Sequence, residues 1–224
     1  MSALLRGIDD AVAAIGATGI VAVVRTDTAE QAVELTRAAV FGGIRAVEIT
    51  FTIPDAAEAL RTLAAELPDE VVLGAGTVLT IDDLETAAAA GARFAMSPLV
   101  DPTIVDAGAR AGLAVVPGAM TPTEVGAALR AGAPAVKIFP AASVGTAHLS
   151  ALRQVFPEAR LVPTGGVEPD AVRQWRNAGA FALGIGGAID KAMRHGGVAA
   201  VHQLSGHVTR NWVAGNTSPL GGGR

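Results

Sequence analysis

The sequence predicts an α/β protein of the (β/α)8 TIM-barrel class, a single domain over residues 1–214 of a 224-residue chain. Three observations lead there. Short runs of Val, Ile, Leu and Ala that do not alternate with polar residues, the pattern of strands buried on both faces, recur roughly every 20 to 27 residues. Helical stretches with apolar residues on one side fill the intervals. No linker interrupts the alternation, and eight such units in roughly 200 residues sit at the short end of the barrel's range. An open doubly wound sheet is the rival; it would use five or six strands and a glycine-rich first turn, whereas the first turn here is Arg25-Thr26-Asp27-Thr28.

The elements follow in order. An extra N-terminal helix over 3–15 is expected to close the lower end of the barrel. Strands are expected at 20–24, 46–50, 71–74, 94–97, 113–117, 135–139, 161–164 and 181–185. Helices are expected at 28–41, 54–66, 81–90, 103–111, 122–131, 147–155, 169–177 and 198–212. The helix over 28–41 sets Ala32, Leu35, Ala39 and Val40 on one side. Thr121-Pro122 and Glu168-Pro169 place a proline in a first helical turn, while Gly91, Gly112, Gly132 and Gly179 stand at helix ends. The tail over 215–224, GNTSPLGGGR, has no apolar periodicity and is expected to be a disordered Gly-rich segment.

Composition removes several classes of function. The chain has 27 Gly and 12 Pro but only six Phe, two Trp and no Tyr, and a net charge of −4 with both signs interspersed. No basic stripe runs along it, so no nucleic-acid partner is expected. The absence of cysteine rules out disulfides, a thiol nucleophile and Cys-ligated metal. Apolar runs fall short of the ~20 residues of a membrane span, and the N-terminus does not read as a signal peptide, so a cytoplasmic location with no membrane partner is expected. His148, His195, His202 and His207 all lie C-terminal and none at a strand end, so no metal site and no cofactor is expected.

Barrel enzymes place their chemistry at the C-terminal ends of the strands. The polar residues there begin with Arg25, then Glu48 with Thr50 and Thr52, Thr77, and Ser97-Pro98. Lys137, Thr164-Gly165-Gly166 and Gly186-Gly187 complete the set. Lys137 stands out: of 17 basic residues only it and Lys191 are lysines, and it lies between Val136 and Ile138. A poorly solvated lysine amine is a nucleophile toward carbonyls. Glu48, in Ala-Val-Glu-Ile-Thr, offers a carboxylate at another strand end. The two together make either a buried ion pair or the nucleophile-and-base set of a Schiff-base enzyme. The glycine pairs at 165–166 and 186–187 follow the seventh and eighth strands, where barrels often hold phosphate on backbone N–H groups. No other lysine is expected near those loops.

Six motifs in one order carry a resemblance. They are Val47-Glu48-Ile49-Thr50-Phe51-Thr52, Gly74-Ala75-Gly76-Thr77-Val78, Ser97-Pro98, Pro117-Gly118, Val136-Lys137-Ile138-Phe139-Pro140 and Pro163-Thr164-Gly165-Gly166-Val167. From about residue 18 to 212 the chain resembles the 2-keto-3-deoxy-6-phosphogluconate aldolase family. The resemblance implies a metal-free class I aldolase that cleaves a phosphorylated 2-keto-3-deoxy acid to pyruvate and glyceraldehyde 3-phosphate, and a homotrimer. It implies Lys137 as the Schiff-base residue, Glu48 as general acid/base, Thr77 on the pyruvoyl carboxylate and Thr164 near the reacting carbonyl. Pro98 is carried over as a substrate contact, and Gly165, Gly166, Gly186 and Gly187 as phosphate contacts. The chain departs from the pattern in three places: Thr52 stands where some members have arginine, with Arg25 as the alternative guanidinium; Ala142 stands where many have glutamate; and Gly187-Ala188 replaces a serine-bearing loop. The galactonate epimer or 4-hydroxy-2-oxoglutarate would suit the same motifs. A phospho-ligand-binding barrel without catalysis would be marked by loss of Lys137 or Glu48.

Overall fold

The structure, a computed structural model, describes residues 3–214; the tail expected to be disordered over 215–224 lies outside the described residues. Parallel strands alternate with helices along the whole of this span. The strands are β1 (Ile20–Val24), β2 (Ala46–Thr50), β3 (Val72–Gly76), β4 (Phe94–Met96), β5 (Ala114–Val116), β6 (Gly118–Ala119), β7 (Val136–Ile138), β8 (Leu161–Pro163) and β9 (Leu183–Ile185). The helices are α1 (Ala3–Thr18), α2 (Ala29–Phe41), α3 (Ala56–Glu66), α4 (Ile81–Ala89), α5 (Pro102–Ala111), α6 (Pro122–Arg130), α7 (Gly145–Val155), α8 (Val172–Asn177) and α9 (Gly187–Ala214).

Six strands pair in the order β5-β4-β3-β2-β1-β9 and three in the order β6-β7-β8. The two groups form a curled parallel sheet. A parallel bridge joins Thr164 to Gly184 between β8 and β9. On the other side only Pro117 separates β5 from β6, and its carbonyl accepts the Lys137 N–H at 2.9 Å. Proline has no N–H to donate, so the expected strand over 113–117 is interrupted there.

Local chemistry sets the helix ends. Thr80 with Asp83 and Thr121 with Glu124 form reciprocal capping boxes at the starts of α4 and α6, each satisfying two otherwise orphaned N–H groups. Pro122 occupies the first turn of α6 and costs no hydrogen bond there. The helix expected from residue 54 starts at Ala56 because Asp55 takes a left-handed conformation, φ 55°. The helix expected over 169–177 opens with a 3-10 turn, Pro169–Ala171, before α8. The last helix begins earlier than expected, at Gly187, and passes a non-helical break at Gly197 (φ 62°, ψ −157°).

Strand periodicity sorts the core into two faces. Val47, Ile49, Leu73, Val136, Ile138, Leu161 and Leu183 point outward and pack among α2–α9. Val21, Ala46, Val72, Phe94, Met96, Ala114, Val116, Ala135, Val162 and Ala182 point inward and pack with Ile8, Ala11, Val12 and Ile15 of α1. The lower interior of the curl is therefore dry and apolar. Each inner row continues upward in steps of two residues, and that step decides what stands at the upper end.

Candidate active site

Two residues beyond Ala46 comes Glu48 on β2; two beyond Ala135, which just precedes β7, comes Lys137. The alternation that buries the alanines thus turns both charged side chains into the same interior. Glu48 is 1% exposed and Lys137 5%. Lys137 Nζ lies 4.0 Å from Glu48 Oε1, the outer limit of an ion pair, and 5.1 Å from the centroid of the Phe139 ring. Among the described residues, nothing donates a hydrogen bond to either carboxylate oxygen of Glu48. Burial pushes the Glu48 carboxyl above the usual carboxylate range, and the charges of Lys137 and Arg25 oppose that shift only in part. A carboxylate raised this way is a stronger base than an exposed one, and its open lone pairs face an amine.

Glycine makes the room. A Cβ on Gly76 would stand 2.6 Å from Glu48 Oε1, and one on Gly184 would stand 2.3 Å from Thr164 Oγ1. Both polar side chains occupy space that any larger residue would take. Just past Gly76, Thr77 adopts a left-handed backbone, φ 58°, which is uncommon for a β-branched residue. Its hydroxyl accepts a hydrogen bond from Arg25 Nη2 at 3.4 Å. Thr164 Oγ1 donates to the Val162 carbonyl at 3.3 Å.

Arg25, Glu48, Thr77, Pro98, Lys137 and Thr164, with Gly165, Gly166, Gly186 and Gly187, line one cavity of about 420 Å³. Thr52 is not among them. The chain leaves the strand after Thr50, so the two-residue step fails there, and the exposed Thr52 hydroxyl shares a hydrogen bond with Thr50 Oγ1 at 3.1 Å. Of the two candidates for a carboxylate anchor, only Arg25 reaches the cavity. Phe139, Glu168 and Asp190 also line it, and sequence reasoning missed all three. Phe139 follows Lys137 by two residues and could have been found by the same step; the two acids look like ordinary residues at helix starts.

At the glycine end, Gly165 (φ 92°) and Gly166 (φ 72°) hold conformations closed to most side chains. Helix α9 starts at Gly187, with the Asp190 N–H donating to the Gly186 carbonyl at 3.0 Å. Asp190 is paired with Arg194 at 2.6 Å. Contrary to expectation, a lysine does stand near these loops. Lys191 lines an adjoining groove of about 400 Å³ that shares Glu168, Gly187 and Ala188 with the cavity.

Among the described residues no three His, Cys, Asp or Glu side chains gather as a metal site. His148 Nε2 lies 2.6 Å from the Met120 carbonyl and His207 Nε2 lies 2.9 Å from Asp170. Among the described residues no helix is long and apolar enough to cross a membrane.

A parallel α/β protein that sets a lysine amine against a carboxylate, with a guanidinium and hydroxyls beside them, is equipped to act on a small carbonyl acid. Comparison with known proteins gives the class a family. The family model "KDPG and KHG aldolase" matches residues 12–204, and the chain belongs to that family. It is 44% identical over 149 residues to the 2-dehydro-3-deoxy-phosphogluconate aldolase of Treponema pallidum (strain Nichols), covering 66% of this chain and 70% of that one. It is 31% identical over 174 residues to the 2-dehydro-3-deoxy-6-phosphogalactonate aldolase of Escherichia coli (strain K12), covering 77% and 85%. The solved KDPG aldolase of Legionella pneumophila, which holds pyruvate captured at low pH as a covalent carbinolamine intermediate, superposes with a TM-score of 0.81. The two share 30% identity over 88% of this chain and 97% of that one.

Proposed function

We propose that this protein is a class I aldolase that cleaves 2-keto-3-deoxy-6-phosphogluconate to pyruvate and glyceraldehyde 3-phosphate. The observation that carries the reading is the buried Lys137–Glu48 pair, 4.0 Å apart and open to one cavity. The Lys137 amine attacks the C2 carbonyl, and loss of water gives a protonated imine. Glu48, directly or through a water, takes the C4 hydroxyl proton. The C3–C4 bond breaks, its electrons enter the imine to form an enamine, and the aldehyde leaves. Protonation at C3 and hydrolysis of the imine release pyruvate and restore the amine. Arg25 and Thr77, already in contact, hold the substrate carboxylate. Thr164 and Pro98 wall the reacting carbon. The N–H groups of Gly165, Gly166, Gly186 and Gly187, with the first turn of α9, receive the phosphate.

The same reading makes residues 1–214 one domain. In it the curled sheet is an eight-stranded barrel, β5 and β6 forming one strand interrupted at Pro117, and α1 covers its lower end. It includes assembly as a homotrimer and a cytoplasmic location, with no metal or other cofactor. The similarity to a galactonate aldolase over 77% of the chain supports the epimeric acid as the second substrate to test. Borohydride reduction in the presence of pyruvate tests the mechanism. Lys137 alone should carry the adduct; an adduct on Lys191, or none, would overturn it. Cleavage rates on the gluconate, galactonate and 4-hydroxy-2-oxoglutarate substrates then rank the acids.

A further inference from the structure

The glycine end of the cavity carries charge of a sign that does not suit a phosphate. Its acidic lining residues are Glu168 and Asp190, while Arg25 of the same cavity is engaged with Thr77 at 3.4 Å. Asp190 is neutralised by Arg194 at 2.6 Å. Glu168 is not neutralised. It precedes the 3-10 turn Pro169–Ala171, where a side chain often caps an N–H group, yet among the described residues its carboxylate makes no cap hydrogen bond and no ion pair. It is exposed, and it stands on the wall shared by the cavity and the adjoining groove. The nearby cation, Lys191, lines the groove and not the cavity. Ala188 on the same wall has no hydroxyl to give. An anion seated on the glycine N–H groups would therefore face one uncompensated carboxylate, with backbone dipoles as its main attraction.

We propose that Glu168 is a specificity-determining residue of this cavity, lowering its preference for phosphorylated over unphosphorylated 2-keto acids. The proposal rests on the aldolase reading above and concerns the distal end of the same site. Like charges in one partly solvated cavity repel, and a neutral hydroxyl at that end escapes the penalty while keeping an acceptor for its proton. Discrimination here is built partly by repulsion.

The test compares kcat/KM for 2-keto-3-deoxygluconate with and without the 6-phosphate in the wild type and in E168Q, E168D and E168K. The ratio of phosphorylated to unphosphorylated kcat/KM should rise about three- to tenfold in E168Q, mainly through KM for the phosphorylated acid, since the site is only partly screened. It should rise further in E168K and stay near the wild-type ratio in E168D, which keeps the charge. A structural role would instead move melting temperature and kcat for both substrates together. A ratio that is unchanged or lower in folded E168Q overturns the proposal. Borohydride trapping of pyruvate on wild-type Lys137 separates the two failures: an adduct with an unmoved ratio sinks this inference alone, and no adduct sinks the aldolase reading beneath it.

Discussion

The two ends of the cavity are made of different material. At one end, Lys137, Glu48, Arg25 and Thr77 project from β7, β2 and the segments after β1 and β3, and the chemistry lies in side chains. At the other, Gly165, Gly166, Gly186 and Gly187 supply backbone, and what matters is what has been left off. The ends also differ in tolerance at one pair of positions, Gly76 and Gly187. A methyl added at Gly76 would meet Glu48 Oε1 at 2.6 Å, whereas one added at Gly187 meets nothing within 4 Å. The reacting end is packed to fit one arrangement; at the anion end a methyl on Gly166 would meet Ala142 Cβ at 2.5 Å, and the open space lies beside Gly187.

The contrast can be broken at its strongest point first. Lys137→Arg should reduce turnover to background and abolish borohydride trapping of pyruvate, because a guanidinium does not form this imine at neutral pH. Trapping that survived would move the nucleophile elsewhere. Next, Glu48→Gln should leave the imine able to form but slow cleavage about 10²–10⁴-fold, read from single-turnover kinetics. The same residue sets a pH signature. Burial raises the Glu48 carboxyl, so the base is lost by protonation as pH falls through a value above the ordinary carboxylate range. The acid limb of kcat/KM should lie there and vanish in Glu48→Gln. Gly76→Ala should displace the carboxylate and lower kcat about 10²-fold, the cost of a misplacement near 1 Å. Smallest of all, Gly187→Ser places a hydroxyl in open space at the anion end and should lower KM for the phosphorylated acid about three- to tenfold, one hydrogen bond to a charged group. If Gly187→Ser hurt catalysis as much as Gly76→Ala, the two ends would not differ as described.

Much of the alternation was legible because burial on both faces leaves continuous apolar runs, and because helices here end at glycine. Gly91, Gly112, Gly132 and Gly179 all have positive φ at the turn from helix to strand. Boundaries slipped where side-chain pattern is silent. Strand β3 runs on through Gly74-Ala75-Gly76, two residues past its expected end, because glycines carry no periodic signal. The Lys137–Glu48 pair was visible as two charges inside apolar strands, an arrangement that sequence shows well since each contradicts its neighbours. Thr52 stands two residues past the strand end at Thr50, where the alternation no longer fixes a side chain's direction, and its hydroxyl pairs with Thr50 Oγ1. Glu168 and Asp190 were invisible for the opposite reason: an acid beside a helix start agrees with every local rule, and only the fold shows that those starts face the cavity.

The contact between Gly76 and Glu48 also has a bearing on how the sequence can change over time. An alanine at position 76 collides with the carboxylate while Glu48 is present; an aspartate at position 48 withdraws the carboxylate and leaves the space empty. Taken in the first order, the intermediate is crowded; in the second it is underfilled, with its carboxylate drawn back from the amine. The two substitutions touch, so their effects do not add, and the cost of Gly76→Ala depends on which residue stands at position 48 when it arrives. A position that is costly to change in one ancestor becomes cheaper in its descendant, and a survey of single substitutions in the present chain would record only the higher cost.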